Sequence, residues 1–430
     1  MRMVWKVEER GARGRRTTTR RPLEMESLED RKLLSTGSSD YLLSGSSWPN
    51  PGHITYSIAP DGVAWDAGTN NLSATFNALF GNGTWQREIA RALATWEDYA
   101  NINIAPVGET GMNPIDTFGA AQGDPRFGDI RFGGANFNDN STLAMSFSPP
   151  ASNGSYTNTI YGNVEINTAM PWHIGSDFDL YSVMLHETGL TLGLNEPPPG
   201  GDVVMNTVYG GVRSGLMPGD IAGIQAIYGA RTADVYQSQG QGTGLSSAVD
   251  VTSAVGGSLH ATLNNVSLWT VGDAEYFSVV VPSNGGGTLS VTASAAGISM
   301  LSPAVTVYNA SGQAVASQSN PSAWSDAVTA QVGGLVPGQR YFIKVSGATN
   351  DAFAAGAYQL QVSFPNGTPV SSPPTSTPHP TPTPVTPVVP SHPVTSHPTK
   401  TKHAHVPVRP VRHPHSHPRR VPTIHKSLHP

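Results

Sequence analysis

The sequence predicts a mixed α/β domain with a twisted sheet, then an all-β antiparallel sandwich, with both chain ends outside any core. Three observations predict this. Trp85, Ile89, Leu93 and Trp96 recur at helical spacing between the strand-like runs HITYSIA (53–59) and INIAPV (102–107), the strand–helix–strand order of an α/β layer. From Ala248 to Phe364 short β-rich runs alternate with turn residues, the pattern of a sandwich. From Pro365 onward Pro, Thr, Ser, His and Arg dominate and no acidic residue occurs, a composition that cannot bury a core and reads as disordered.

The organisation follows from these shifts: a basic leader-like segment over 1–44, an α/β domain over 45–231, a polar Gly/Ser/Gln-rich linker of flexible type over 232–247, the sandwich over 248–364 and the tail over 365–430. A chain of 430 residues with 38% hydrophobic content has material for more than one core. It contains no cysteine, which excludes disulfides and thiolate metal sites. The net charge of −5 hides an asymmetry: residues 1–32 carry 10 Lys/Arg, residues 366–430 carry 7, and the stretch between them has 8 basic against 24 acidic residues. An acidic middle argues against nucleic acid, while the basic tail suits either an anionic cell-surface polymer or plain solvation. No stretch approaches the roughly 18 apolar residues of a membrane span.

Taken in order, the N-terminus is basic but lacks an uninterrupted apolar stretch of signal-peptide length. MESLEDRKLLS (25–35) resembles a planctomycete-type leader segment, L-E-x-L-E-x-R-x-L-L-S, with Met25 in the first Leu place; the resemblance implies export to an extracellular or cell-surface location, the other reading being a short amphipathic helix. HITYSIA alternates as a strand half buried on a sheet, and a Gly/Asn-rich loop separates it from the aromatic-faced helix. GDIRFGG (128–134), LAMSFSPP (143–150) and GNVEIN (162–167) read as further strands. Between them NFNDNST (136–142) is rich in side-chain oxygen, which makes it either a calcium loop or a solvated turn. Ser176 followed by Asp179 has capping-box form ahead of an apolar run.

That run leads into HETGLTLGLNE (186–196). In H-E-x-x-H two histidines one helical turn apart reach the same metal, and the glutamate polarises the metal-bound water. His186 and Glu187 fill the first two places, but Leu190 stands where the second histidine belongs. In the longer pattern H-E-x-x-H-x-x-G-x-x-H, Gly193 is in place and Glu196 replaces the last histidine. Val204-Met205-Asn206 supplies a candidate Met-turn, although Met205 by itself would read as plain core. Pro218 and Asp220 open a closing helix that Gly229 stops.

These landmarks together resemble the matrixins, a branch of the metzincin zinc endopeptidases, over roughly residues 45–231. The resemblance implies a metzincin-like domain with a twisted sheet and three helices. It implies zinc held by His186 and Glu196, Glu187 as catalytic base, Met205 as the structural Met-turn, and a protein or peptide substrate. It also marks Met145 and Glu165 as standing where the family's structural zinc uses histidines. Three readings of the site stay open: weak zinc binding through His186, Glu196 and Asp202 or an extra water; a catalytic relic that keeps the fold and peptide binding; and an accidental likeness. His173 is either a substitute ligand or a lone surface histidine.

DAEYFSVVVP, AVTVYNASGQAVAS, GQRYFIKVSG and GAYQLQV together resemble the bacterial pre-peptidase C-terminal domain. The tail carries 10 of the 14 histidines, suited to loose transition-metal binding or to a spacer that gains charge as pH falls. The reading reached is an exported matrixin-like protein with a degenerate zinc site, weakly active or inactive; the competing reading is a non-catalytic peptide-binding or adhesion protein on the same scaffold.

Overall fold

A computed structural model describes residues 2–6, 40–117, 121–150, 160–285 and 287–365. The leader-like motif at 25–35 and the tail from 366 onward lie outside the described residues. Among the described residues no helix is long and apolar enough to cross a membrane.

The N-terminal half is built on a six-stranded sheet. Its strands are β1 (Arg2–Lys6), β2 (Ile54–Ile58), β3 (Ile104–Pro106), β4 (Ile130–Ala135), β5 (Thr142–Phe147) and β6 (Asn163–Asn167), in the order β1-β5-β6-β4-β2-β3. β2, β3, β4 and β6 run parallel, while β5 is antiparallel to both β6 and β1. The alternation in HITYSIA suggests a half-buried strand, but Ile54, Thr55, Tyr56 and Ser57 are all buried. The second face is polar and yet covered: Thr55 Oγ1 donates to Asp129 and Ser57 Oγ donates to Glu109, each at 2.8 Å. Buried hydroxyls with such partners escape the desolvation cost that would otherwise keep that face in water.

Four helices accompany the sheet rather than three. The additional one, α1 (Leu72–Phe80), lies in the stretch read as a Gly/Asn-rich loop and buries Leu72 and Phe76. α2 (Thr84–Glu97) carries Trp85, Ile89, Leu93 and Trp96, all fully buried. α3 (Leu180–Thr191) is buried at every position, as expected for a helix with apolar groups all round. Its N-cap is Asp179 itself, which accepts from Ser182 N at 2.9 Å, so the cap sits three residues after the Ser176 proposed from spacing. Trp96 Nε1 donates to Leu185 O at 2.9 Å and fixes α2 against α3. α4 (Pro218–Tyr228) starts with Pro at its first turn and ends at Gly229, whose φ is +77°.

The C-terminal region is β-rich. β7 (Val249–Asp250), β8 (His260–Leu268), β9 (Ala274–Val280), β10 (Thr288–Ser294), β11 (Pro303–Tyr308), β12 (Ala314–Ser319), β13 (Ala327–Gly333), β14 (Arg340–Gly347) and β15 (Gly356–Ser363) form two sheets. Their orders are β7-β9-β14-β11-β12 and β8-β15-β10-β13. Alternate residues of the main strands enter one apolar cluster that includes Phe277, Val291, Ile343 and Leu360.

The two halves share packing. Met300 and Phe353 of the β-rich region are fully buried and belong to the apolar cluster of the N-terminal half. Trp324 stacks on Phe353 with centroids 5.7 Å apart, and its Nε1 donates to Tyr56 Oη at 2.9 Å. Arg87 of α2 lies 4.5 Å from the Phe353 ring centroid and 3.2 Å from Asp351. The segment 232–247, read as a flexible linker, lies against the β-rich region: Asp234 accepts from Tyr236 N, Gln237 N and Ser267 N, and Tyr276 N donates to Gly242 O at 2.8 Å. The Asp234 carboxylate ties down the backbone at the start of this segment and joins it to β8 through Ser267.

Candidate functional site

α3 brings His186, Glu187 and Leu190 to one buried end of the N-terminal core, where all three are fully buried. Gly193 then reverses the chain. Its φ is +103°, and a Cβ there would stand 2.2 Å from Ser46 O, so only glycine fits both the turn and the close approach. The reversal is held from outside the helix: Ser44 N donates to Gly193 O at 2.9 Å, Trp48 Nε1 to Thr191 O at 2.9 Å and Tyr228 Oη to Leu192 O at 2.8 Å. Glu196 is thereby returned to His186, with Oε1 3.5 Å from Nε2.

The other ring nitrogen, Nδ1, lies 2.9 Å from Val204 O. A carbonyl can only accept, so this contact places a proton on Nδ1 and turns Nε2 toward Glu196. Met205 is buried beside the helix; a Cβ on Gly189 would meet its Sδ at 2.4 Å, so Gly189 is what lets Met205 lie against α3. Asp220 holds that turn, accepting from Val204 N at 2.8 Å, Met205 N at 3.2 Å and Met217 N at 2.9 Å. The helix-start pattern announced Asp220 but not its grip on residues 204 and 205.

Glu187 meets Ser146 of β5, whose Oγ donates to Oε2 at 2.6 Å; its Oε1 is buried without a hydrogen bond. Burial pushes the Glu187 carboxyl up to about 7, with the His186 charge and the Ser146 hydroxyl opposing the rise and Glu196 adding to it. Ser146 was not singled out from the sequence, since nothing about a serine in a strand 41 residues upstream marks it as a partner.

Other candidates fall outside this group. Asp202 pairs with Arg213 Nη1 at 2.5 Å, and His173 lies 3.8 Å from Asp177 on the surface. Met145 and Glu165 face each other across β5 and β6, where Glu165 Oε1 accepts from Ala67 N at 2.7 Å. In the loop 136–142 the Asp139 carboxylate accepts from Ser141 N and Ser141 Oγ, each at 2.8 Å, and from Thr142 Oγ1, the bonding of a closed polar turn.

A zinc ion can be tested against this donor set. In a tetrahedral site with bonds near 2.1 Å, neighbouring ligand atoms are about 3.4 Å apart. The 3.5 Å between His186 Nε2 and Glu196 Oε1 matches one such edge. A catalytic zinc needs three protein ligands, and the side chain one turn along from His186 is the fully buried hydrocarbon of Leu190. Among the described residues no group of three His, Cys, Asp or Glu side chains is placed to hold a metal ion. The residues present do not fit a catalytic zinc.

Residues 48–229 match the family model of the matrixins. A search of curated proteins finds no matching relative.

Proposed function

Because residues 48–229 form a matrixin-like metalloprotease domain, we propose that this chain is an exported member of that lineage that keeps the protease scaffold and has lost the zinc-dependent hydrolytic step. The observation that carries the reading is Leu190, fully buried at the position where a second nitrogen ligand belongs. His186 and Glu196 keep one edge of a ligand set, and an ion held by two side chains is bound weakly and polarises water poorly. Glu187 retains the surroundings of a proton acceptor, with a carboxyl raised to about 7 by burial, but no activated water is supplied for it to deprotonate.

Peptide binding without cleavage is supported by the edge of the sheet. β5 carries Ser146 and pairs antiparallel with the extended segment Arg2–Lys6, Met3 lying opposite Ser146. β5 is paired on both sides, so a peptide would add to this edge in place of Arg2–Lys6, using the same backbone groups. The β-rich region, read as a sandwich of the pre-peptidase C-terminal type, fits an accessory role outside the cell.

The test is zinc titration of the full chain beside His186→Ala, whose difference cancels the weak binding expected of the His-rich tail. We expect the two curves to coincide at micromolar zinc. A tight single site present only in the unsubstituted chain, together with cleavage of a peptide library, would overturn the reading. Leu190→His should then create a site of one equivalent, because it restores the missing nitrogen on the correct helical turn.

A further inference from the structure

The outermost strand of the six-stranded sheet comes from the first residues of the chain. β1 pairs antiparallel with β5, with Arg2 opposite Phe147, Met3 opposite Ser146, Val4 opposite Met145 and Trp5 opposite Ala144, and an irregularity before Lys6. β6 holds the other side of β5, and with both neighbours present β5 is buried at every position. Without β1 it would be the edge of the sheet, with a row of backbone N–H and C=O groups open to pairing. Ser146, the donor to Glu187 Oε2, belongs to that row.

The chain is fastened again just after the leader-like region. Leu42 and Leu43 pair antiparallel with Asn195 and Leu194, and Ser44 N donates to Gly193 O at 2.9 Å. Asp40 lies against α4, where a Cβ on Gly219 would meet its carbonyl oxygen at 2.7 Å. The leader-like motif at 25–35 falls between β1 and this anchor. A cut that removes the motif therefore also severs β1 from the domain.

We propose that Arg2–Lys6 is a built-in ligand of the β5 edge, which stays closed while the leader-like segment is attached and opens to an extended peptide when that segment is cut away. The proposal rests on the peptide-binding reading of this scaffold. Its physical basis is the tether: two segments of one chain meet at an effective concentration on the order of millimolar, so the backbone bonds of a short strand suffice while the chain is intact. The cut is hydrolysis of one peptide bond by a processing peptidase, water supplying the hydroxyl of the new carboxyl end and a proton to the new amino end. Once cut, the same strand competes only at its bulk concentration and is lost to dilution. An incoming peptide then uses the backbone groups of β5 that β1 has vacated.

One of any two consecutive residues in an antiparallel edge strand turns its N–H to the neighbour, so Val4→Pro combined with Trp5→Pro in the full chain removes a ladder donor whichever residue supplies it. The probe is a fluorescein-labelled peptide of residues 1–8, followed by anisotropy, with hydrogen–deuterium exchange over 142–147 as the second readout. We expect binding to the double variant at least tenfold tighter than to the unsubstituted chain. Protection over 142–147 should fall in the variant and return when the peptide is added. If the variant does not fold, a full chain with a specific protease site inserted between Thr36 and Gly37, cut after folding, carries the same comparison. Equal binding to both chains, or unchanged protection over 142–147 in the variant, would overturn the proposal and leave peptide binding standing. Lost protection with no binding to either chain would overturn the peptide-binding reading and the proposal with it.

Discussion

Phe353→Ala tests whether the two halves fold as one. Phe353 is fully buried, stacks on Trp324 and receives the Arg87 guanidinium 4.5 Å from its ring centroid, although its own segment belongs to the β-rich region. Truncating a buried Phe costs about 3–5 kcal/mol. If that loss is shared across the seam, the opening equilibrium of α2 should rise on the order of 100-fold for each ~3 kcal/mol transmitted. Hydrogen–deuterium exchange on peptides covering 84–97 and 288–294 reads both sides at once. We expect amides of α2 to lose protection together with those of β10. Unchanged protection in α2, with loss confined to the β-rich strands, would refute the shared core and make the contacts at Trp324, Arg87 and Met300 incidental.

Gly193→Ala should lower Tm, since a φ of +103° costs an L residue about 1–2 kcal/mol and its Cβ must also move 2.2 Å contact with Ser46 O. A melt equal to that of the unsubstituted chain would contradict the turn geometry. Asp220→Ala leaves the amides of Val204, Met205 and Met217 without their acceptor and should cost about 3 kcal/mol or more by urea unfolding; a loss under ~1 kcal/mol would mean water replaces the carboxylate freely. Glu97 accepts from Ile104 N and Met300 N, and burial pushes it up to about 7, against the opposing charge of Arg231. Because its folded pKa lies above the unfolded value, it takes up protons on folding, so its contribution is full below about 4.5 and is lost as pH rises through about 7. Asp98, raised to about 8 by burial and by Glu97, extends that window upward. Glu97→Gln should flatten stability between pH 5 and 8; an unaltered slope would place the titration elsewhere.

What the sequence made legible was local. The aromatic face of α2 repeats within one helix, and His186, Glu187, Leu190 and Glu196 are joined by a single helix and one glycine turn, so spacing alone places them. α1 escaped because nine residues among Gly and Asn give too short a period to stand out. The cap of α3 was displaced because both Ser176 and Asp179 are competent caps, and the chain uses the one whose carboxylate reaches Ser182. The seam was invisible for a different reason. Met300, Trp324 and Phe353 each read as ordinary core of their own domain, and nothing in their spacing says that their neighbours lie more than two hundred residues upstream. Ser146 was missed on the same ground, as were the contacts that Val204 and Asp220 make, since each acts through an atom contributed from another element.

Those long-range partners also explain how the buried His186 and Glu187 are accommodated at the end of α3. A buried imidazole and a buried carboxylate are costly unless their polar atoms are met. Here Val204 O accepts from the imidazole Nδ1, Glu196 Oε1 lies 3.5 Å from Nε2, and Ser146 Oγ donates to one Glu187 carboxylate oxygen. The Val204 contact joins α3 to the turn that Asp220 holds and that carries Met205. His186 is therefore a tie between elements whether or not an ion is present, and its removal should lower stability in chelator as well as in zinc. A His186→Ala chain that melts normally in chelator and less stably only in zinc would assign the histidine to the metal alone and return the domain to the catalytic class.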